Sequence, residues 1–221
     1  MKYQAILFDC DGVLVDSERI TNGVLREMLT DMGWKLSEAE CMKHFIGHLV
    51  QDQGELIKKH TGQQIDDAWI EAFRIRRNQA LHASLTAIEH IHEALKAITD
   101  VYGTKIACAS GADREKVVLQ LTKTGLLHFF EGRIFSGVEM PKSKPAPDVY
   151  LAAAAALKVD PKLCAVIEDS TTGARAGVAA GCTVLAYCPD EIGHSSAQAM
   201  REVGASAVFG SMLDLPGLLV K

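Results

Sequence analysis

The chain has 221 residues, and Lys plus Arg 23 against Asp plus Glu 28 gives a formal net charge of −5, room for one large domain or a compact one carrying a smaller one. A hydrophobic fraction of 48% with 23% charged residues is that of a folded globular protein and excludes a disordered chain. The acidic balance excludes the basic footprint of a nucleic-acid binder, and no apolar run reaches the ~18 residues that would cross a bilayer, so neither nucleic acid nor membrane is an expected partner.

Gln4–Phe8 is a short apolar, strand-like run ended by Asp9-Cys10-Asp11-Gly12. Asp16-Ser17-Glu18 then reads as a helix opening. From there to about Ala83 only helical stripes follow: Leu25, Met28, Leu29 and Met32, then Ile65, Ala68, Trp69, Ala72, Phe73 and Arg76. The arginines 74, 76 and 77 end that second stripe, and at least two of them read as a solvated face. Beyond it, strands alternate with helices. Ile88, Ile91, Leu95 and Ile98 fall at helical spacing, Lys105–Ala109 is a strand run closed by Ser110-Gly111, and Val117, Val118 and Leu121 again mark a helix. Arg133–Phe135, Leu163–Ile167, Thr183–Tyr187 and Ala207–Phe209 complete the strands, with alanine-rich helices at Val149–Leu157 and Gly173–Ala180 between them. Continuously apolar strands separated by helices imply βαβ units and a parallel sheet buried on both faces. The expected fold is α/β, a doubly wound, Rossmann-like core of residues 1–17 and 84–221, with an all-helical domain of residues 18–83 inserted.

The six cysteines, among them Cys10, show neither a CxxC pair nor metal-ligand spacing and read as reduced packing thiols. The start of the chain lacks a signal-peptide pattern, so the expected location is cytoplasmic.

Four polar segments stand at or just after predicted strand ends, the edge where open parallel sheets bind ligands. They are Asp9-Cys10-Asp11-Gly12, Ser110-Gly111, Lys142-Ser143-Lys144-Pro145 and Glu168-Asp169-Ser170. Asp9 and Asp11, two apart on extended backbone, would point the same way. Several carboxylates at one edge call for a cation, and hard oxygen ligands choose Mg²⁺. Ser110, the Gly111 amide and Lys144 are donors for an anion. Metal, lysine, hydroxyl and amides together make a phosphoryl site, and no Walker pattern indicates a nucleotide cradle.

FDCDGVLVDSE, ASG, SKPAPDVY and IEDSTTGARAGVAAG resemble, in order and spacing, the four motifs of the haloacid dehalogenase superfamily, in its helical-cap branch of sugar phosphatases and β-phosphoglucomutases. The resemblance implies a HAD core with a cap domain. It implies Asp9 as nucleophile and Asp11 as acid and then base, with Ser110 and Lys144 holding the phosphoryl group. Mg²⁺ would be bound by the Asp9 carboxylate, the Asp11 carbonyl and Asp169, with Glu168 beside or behind them. Gly12 and Gly111 would line the substrate phosphate, and Thr21, His48 and Gln51 of the cap, with one of the arginines 74, 76 and 77, would read the leaving group. The expected partner is a small phosphorylated metabolite, a sugar or sugar-acid phosphate.

Two alternatives stand beside this phosphatase reading. A β-phosphoglucomutase-like phosphomutase would carry a cap histidine where Thr21 stands and an arginine in the loop Gly47-His48-Leu49-Val50, which has none. A non-catalytic metabolite-binding scaffold would be expected to break one of the four motifs, and all are intact.

Overall fold

The computed structural model describes residues 2–45, 48–189 and 195–220. Gly47, named above in the mutase comparison, lies outside the described residues.

The chain divides into two compact units, residues 1–16 with 86–221, and residues 17–85. In the first, six strands form one parallel sheet: β1 (Ala5–Phe8), β2 (Ile106–Ser110), β3 (Ile134–Ser136), β4 (Cys164–Glu168), β5 (Thr183–Tyr187) and β6 (Ala207–Phe209), in the order β3-β2-β1-β4-β5-β6. This is a doubly wound, Rossmann-like order, whose direction of winding reverses between β1 and β4. Both central strands are buried along their whole length, which is why Ala5–Phe8 and Cys164–Ile167 read as unbroken apolar runs rather than alternating ones. The register pairs Phe8 with Ile167 and with Cys108, so residues 9–12, 110–111 and 168–169 all leave the sheet at its carboxyl edge.

The second unit is helical among its described residues: α1 (Glu18–Asp31), α2 (Glu38–Phe45), α3 (Gly54–Thr61) and α4 (Asp67–Ser84). Its own core gathers Leu25, Leu29, Trp34, Cys41, Ile57 and Phe73. The α4 stripe differs from its sequence reading. Ala72 and Arg76 are exposed, and the inner face runs Phe73, Arg77, Leu81. Arg74 and Arg76 are solvated and paired with Glu71 and Asp31, whereas Arg77 is buried, its guanidinium over the Phe73 ring and donating to Asn78.

Around the sheet lie α5 (Ile91–Tyr102), α6 (Arg114–Lys123), α7 (Leu127–Phe130), α8 (Asp148–Leu157), α9 (Thr171–Ala179), α10 (Ala197–Glu202) and α11 (Leu215–Val220). No helix among the described residues is long and apolar enough to cross a membrane. All six cysteines are free thiols, five of them buried. The α9 helix packs closely on β4 and β5 because Gly177 has no side chain: a Cβ there would lie 2.8 Å from Val184 Cγ2 and 3.1 Å from Val166 Cγ1. Gly177→Val should therefore overpack this layer and cost about 1–3 kcal/mol. The expected result is a thermal midpoint lowered by several degrees with unchanged far-UV circular dichroism.

Candidate active site

Each segment reaches the sheet edge by a local device. The turn after β1 is closed by the Cys10 carbonyl, which accepts from the amides of Leu14 and Val15 at 2.9 and 3.1 Å. Gly12 sits in it at φ 76°, and any Cβ there would strike the Asp169 carboxylate. Its amide donates to the Val15 carbonyl at 2.9 Å. Gly12 is thus a residue of close approach, with its N–H turned to the Val15 carbonyl. Ser170 is the N-cap of α9, accepting from the Gly173 amide at 3.1 Å and donating to Glu168 Oε2 at 3.0 Å. A Cβ on Gly173 would overlap Glu168, so the first turn of α9 and the end of β4 meet only through glycine.

Ser110 ends β2 and is buried, and its Oγ accepts from the Ala112 amide at 3.1 Å, leaving its O–H to donate. It does not cap the following helix; Asp113 does, accepting from the Lys116 amide at 2.8 Å. Gly111 borders Lys144, whose Cδ would lie 4.0 Å from a Cβ at that position.

Lys144 is the hub. Its ammonium donates to Asp9 Oδ1 at 2.7 Å, to Glu168 Oε1 at 2.7 Å and to the Tyr150 hydroxyl at 2.9 Å, and it lies 4.7 Å from the centroid of the Tyr150 ring. Tyr150 in turn donates to Glu168 Oε1 at 2.6 Å. Asp9, Glu168 and Asp169 are buried and each offers an oxygen within 4.8 Å of the others. Burial pushes the Asp9 carboxyl up to about 7, with Lys144 pulling it down and Glu168 and Asp11 adding to the rise. Burial acts to lower Lys144, but the carboxylates of Asp9 and Glu168 outweigh it and hold the ammonium above its ordinary value. Tyr150 is raised well above its ordinary value, by burial first and then by the neighbouring acids, so it keeps the proton it gives to Glu168.

Asp11 does not join this group. Its Oδ1 accepts from Lys116 Nζ and from Gln120 Nε2, each at 2.7 Å. The two aspartates therefore meet different cations, although extended backbone would have aimed them alike. Cys10 is a packing thiol, raised well above its ordinary value by its hydrogen bond with Cys108 and then by burial. Lys116, Gln120 and Tyr150 are site residues that sequence reasoning missed. The cap candidates belong to the helical unit: Thr21 on α1, with a buried hydroxyl that has no hydrogen-bond partner among the described residues, and His48 and Gln51, both exposed, Gln51 accepting from Arg74 at 3.4 Å.

Acids gathered around a lysine stand at the point where a parallel sheet reverses its winding, the edge at which open α/β sheets bind their ligands. The chain belongs to the haloacid dehalogenase-like hydrolases, whose family model matches residues 6–187. It is a phosphatase. It is 30% identical over 190 residues to the 6-phosphogluconate phosphatase of Escherichia coli (strain K12), covering 86% of this chain and 84% of that protein. With hexitol phosphatase B of the same organism it shares 28% identity over 179 residues, 80% of this chain and 79% of that one. A HAD family hydrolase from Deinococcus radiodurans R1, solved with bound phosphate and sodium, superposes with a TM-score of 0.79 at 32% identity, over 99% of this chain and 96% of the other.

Tyr150→Phe removes one hydroxyl and leaves Glu168, which is fully buried, and Lys144, whose side chain is 8% exposed, each a partner short. The expected cost is about 1–3 kcal/mol, read as a lowered midpoint in urea at unchanged slope.

Proposed function

We propose that the protein is a Mg²⁺-dependent phosphatase that hydrolyses a sugar or sugar-acid phosphate through an aspartyl phosphate on Asp9. The observation that carries this reading is the buried Asp9 carboxylate at the switch point, with its Oδ1 2.7 Å from the Lys144 ammonium and acids from β4 beside it. The relatives named for 6-phosphogluconate and for hexitols support a phosphorylated sugar derivative as substrate.

The donor set fits Mg²⁺: Asp9 and Asp169, in a group of three acids whose oxygens lie within 4.8 Å of one another, supply hard oxygen ligands. Asp9, Asp169 and the Asp11 carbonyl would hold the ion. Glu168 has both oxygens engaged, Oε1 by Lys144 and Tyr150 and Oε2 by Ser170, and so acts from behind as the anchor of Lys144. When bound, the metal supplies positive charge against the phosphoryl oxygens and the crowded acids.

Asp9 attacks phosphorus in line as the bond to the leaving oxygen breaks, and Asp11 gives that oxygen its proton. Water then attacks the aspartyl phosphate and passes a proton to Asp11, releasing phosphate and restoring Asp9. Lys144, Ser110 Oγ and the Gly111 amide hold the phosphoryl oxygens throughout, since this chemistry needs positioning and charge stabilisation most. Thr21, His48 and Gln51 read the rest of the substrate.

A panel of phosphorylated sugars, sugar acids and hexitols, assayed for released phosphate with and without EDTA, tests this reading. Turnover is expected on a member of the panel and its loss with EDTA; turnover that survives EDTA would remove the metal from the scheme. Asp9→Asn should lower kcat by about 10⁴-fold or more and abolish acid-stable ³²P capture on the protein. Alanine at Thr21 or Gln51 should shift kcat/KM for the preferred sugar phosphate, relative to that for p-nitrophenyl phosphate, by about tenfold.

A further inference from the structure

Lys116 and Gln120 are four residues apart on α6, so they share a face, and that face points into the protein. Lys116 is 6% exposed and Gln120 is 0% exposed. An ammonium and an amide buried on a helix are costly unless they are partnered, and apolar residues would fill such positions at no such cost. Both side chains end on a single atom, Asp11 Oδ1, at 2.7 Å each.

The rest of the surroundings fixes these donors in turn. The Lys116 amide is held by the Asp113 cap at 2.8 Å, which sets the start of α6. Gln120 Oε1 accepts from the Cys10 thiol at 3.5 Å, which settles the amide's orientation so that Nε2 faces Asp11. A carboxylate is planar, so two bonds converging on Oδ1 also fix the direction in which Oδ2 points. Lys144 plays the corresponding part for Asp9. The two acids of the first motif thus have separate anchors.

We propose that Lys116 and Gln120 are positioning residues that hold the Asp11 carboxylate in the orientation from which it transfers its proton. The inference rests on the role given to Asp11 above. General acids act within about 2.6–3.2 Å of the atom they protonate, and a side chain free to turn about two torsions spends little time there.

The test is a leaving-group series. The probes are p-nitrophenyl phosphate, which leaves readily without a proton, and phenyl phosphate, which does not. The quantity is kcat/KM, which reports formation of the phosphoenzyme alone. Asp11→Ala should lower it about 10²-fold or more for phenyl phosphate and far less for p-nitrophenyl phosphate. Lys116→Met and Gln120→Leu should reproduce that bias in weaker form, about tenfold against the poor leaving group and within about threefold for the good one. Lys116→Arg, which keeps a cationic donor, should recover part of the loss.

An equal fall for both probes in Lys116→Met and Gln120→Leu overturns the inference, since a structural role or a direct grip on phosphate does not depend on the leaving group. If Lys116→Met does not fold, Gln120→Leu, which leaves the Lys116–Asp11 ion pair in place, carries the same test. If Asp11→Ala itself shows no leaving-group bias, it is the acid role of Asp11 that fails, and the two failures are told apart.

Discussion

The structure depends on one buried ammonium. Lys144 brings together residues that the chain keeps far apart: Asp9 is 135 positions away and Glu168 is 24. Three buried acids at the edge of a sheet repel one another and lose their hydration, and each uncompensated one would cost several kcal/mol. An ammonium has three donors, and all three of Lys144's are used, on Asp9, Glu168 and Tyr150. Glu168 meets that demand from the other side. Both of its oxygens are engaged, one by Lys144 and Tyr150 and one by Ser170. The buried network is therefore satisfied in itself, the condition under which such a network rigidifies a site instead of destabilising it.

Crowding of this kind also demands missing atoms. Gly12 and Gly173 stand where a side chain would collide with Asp169 and Glu168, and Gly177 lets α9 settle on Val166 and Val184. The glycines within the first and fourth motifs are in that sense as much part of the charge arrangement as the acids are. They set how near the backbone of one segment comes to the carboxylates of the next.

Much of this is legible in the amino-acid sequence. Thr183–Tyr187 and Ala207–Phe209 run as strands over the residues their apolar patterns mark, and the other strands are displaced by about one residue. The reason is that strands covered on both faces leave a continuous apolar record, ended by the polar residues that form the rim. Lys116, Gln120 and Tyr150 left no such record. Periodicity assigns a helix's charged residues to solvent, and so places the inner stripe at Val117, Val118 and Leu121. In the structure Val118 is at the surface while Lys116 and Gln120 are inside. Their partner Asp11 lies 105 and 109 positions away, beyond the reach of any local pattern. Tyr150 was hidden for a similar reason: in an alanine-rich helix an aromatic residue reads as core, and it is core, yet its hydroxyl closes the polar network.

The full use of Lys144 has a consequence for binding. A phosphoryl oxygen that is to be held by this ammonium has to displace one of its three partners. Glu168 is fully buried and Tyr150 is tied to Glu168 at 2.6 Å, so those two cannot yield without opening the core. Asp9 can on the proposed reading, in which it is the group that turns toward phosphorus. The contact between Lys144 and Asp9 Oδ1 thereby becomes the variable one of the three, and Glu168 and Tyr150 are the fixed pair that keep the ammonium in place while it changes partner. On this view Glu168 is retained less for its charge toward a metal than for holding a lysine at the one position from which it can serve both the nucleophile and the group that the nucleophile attacks.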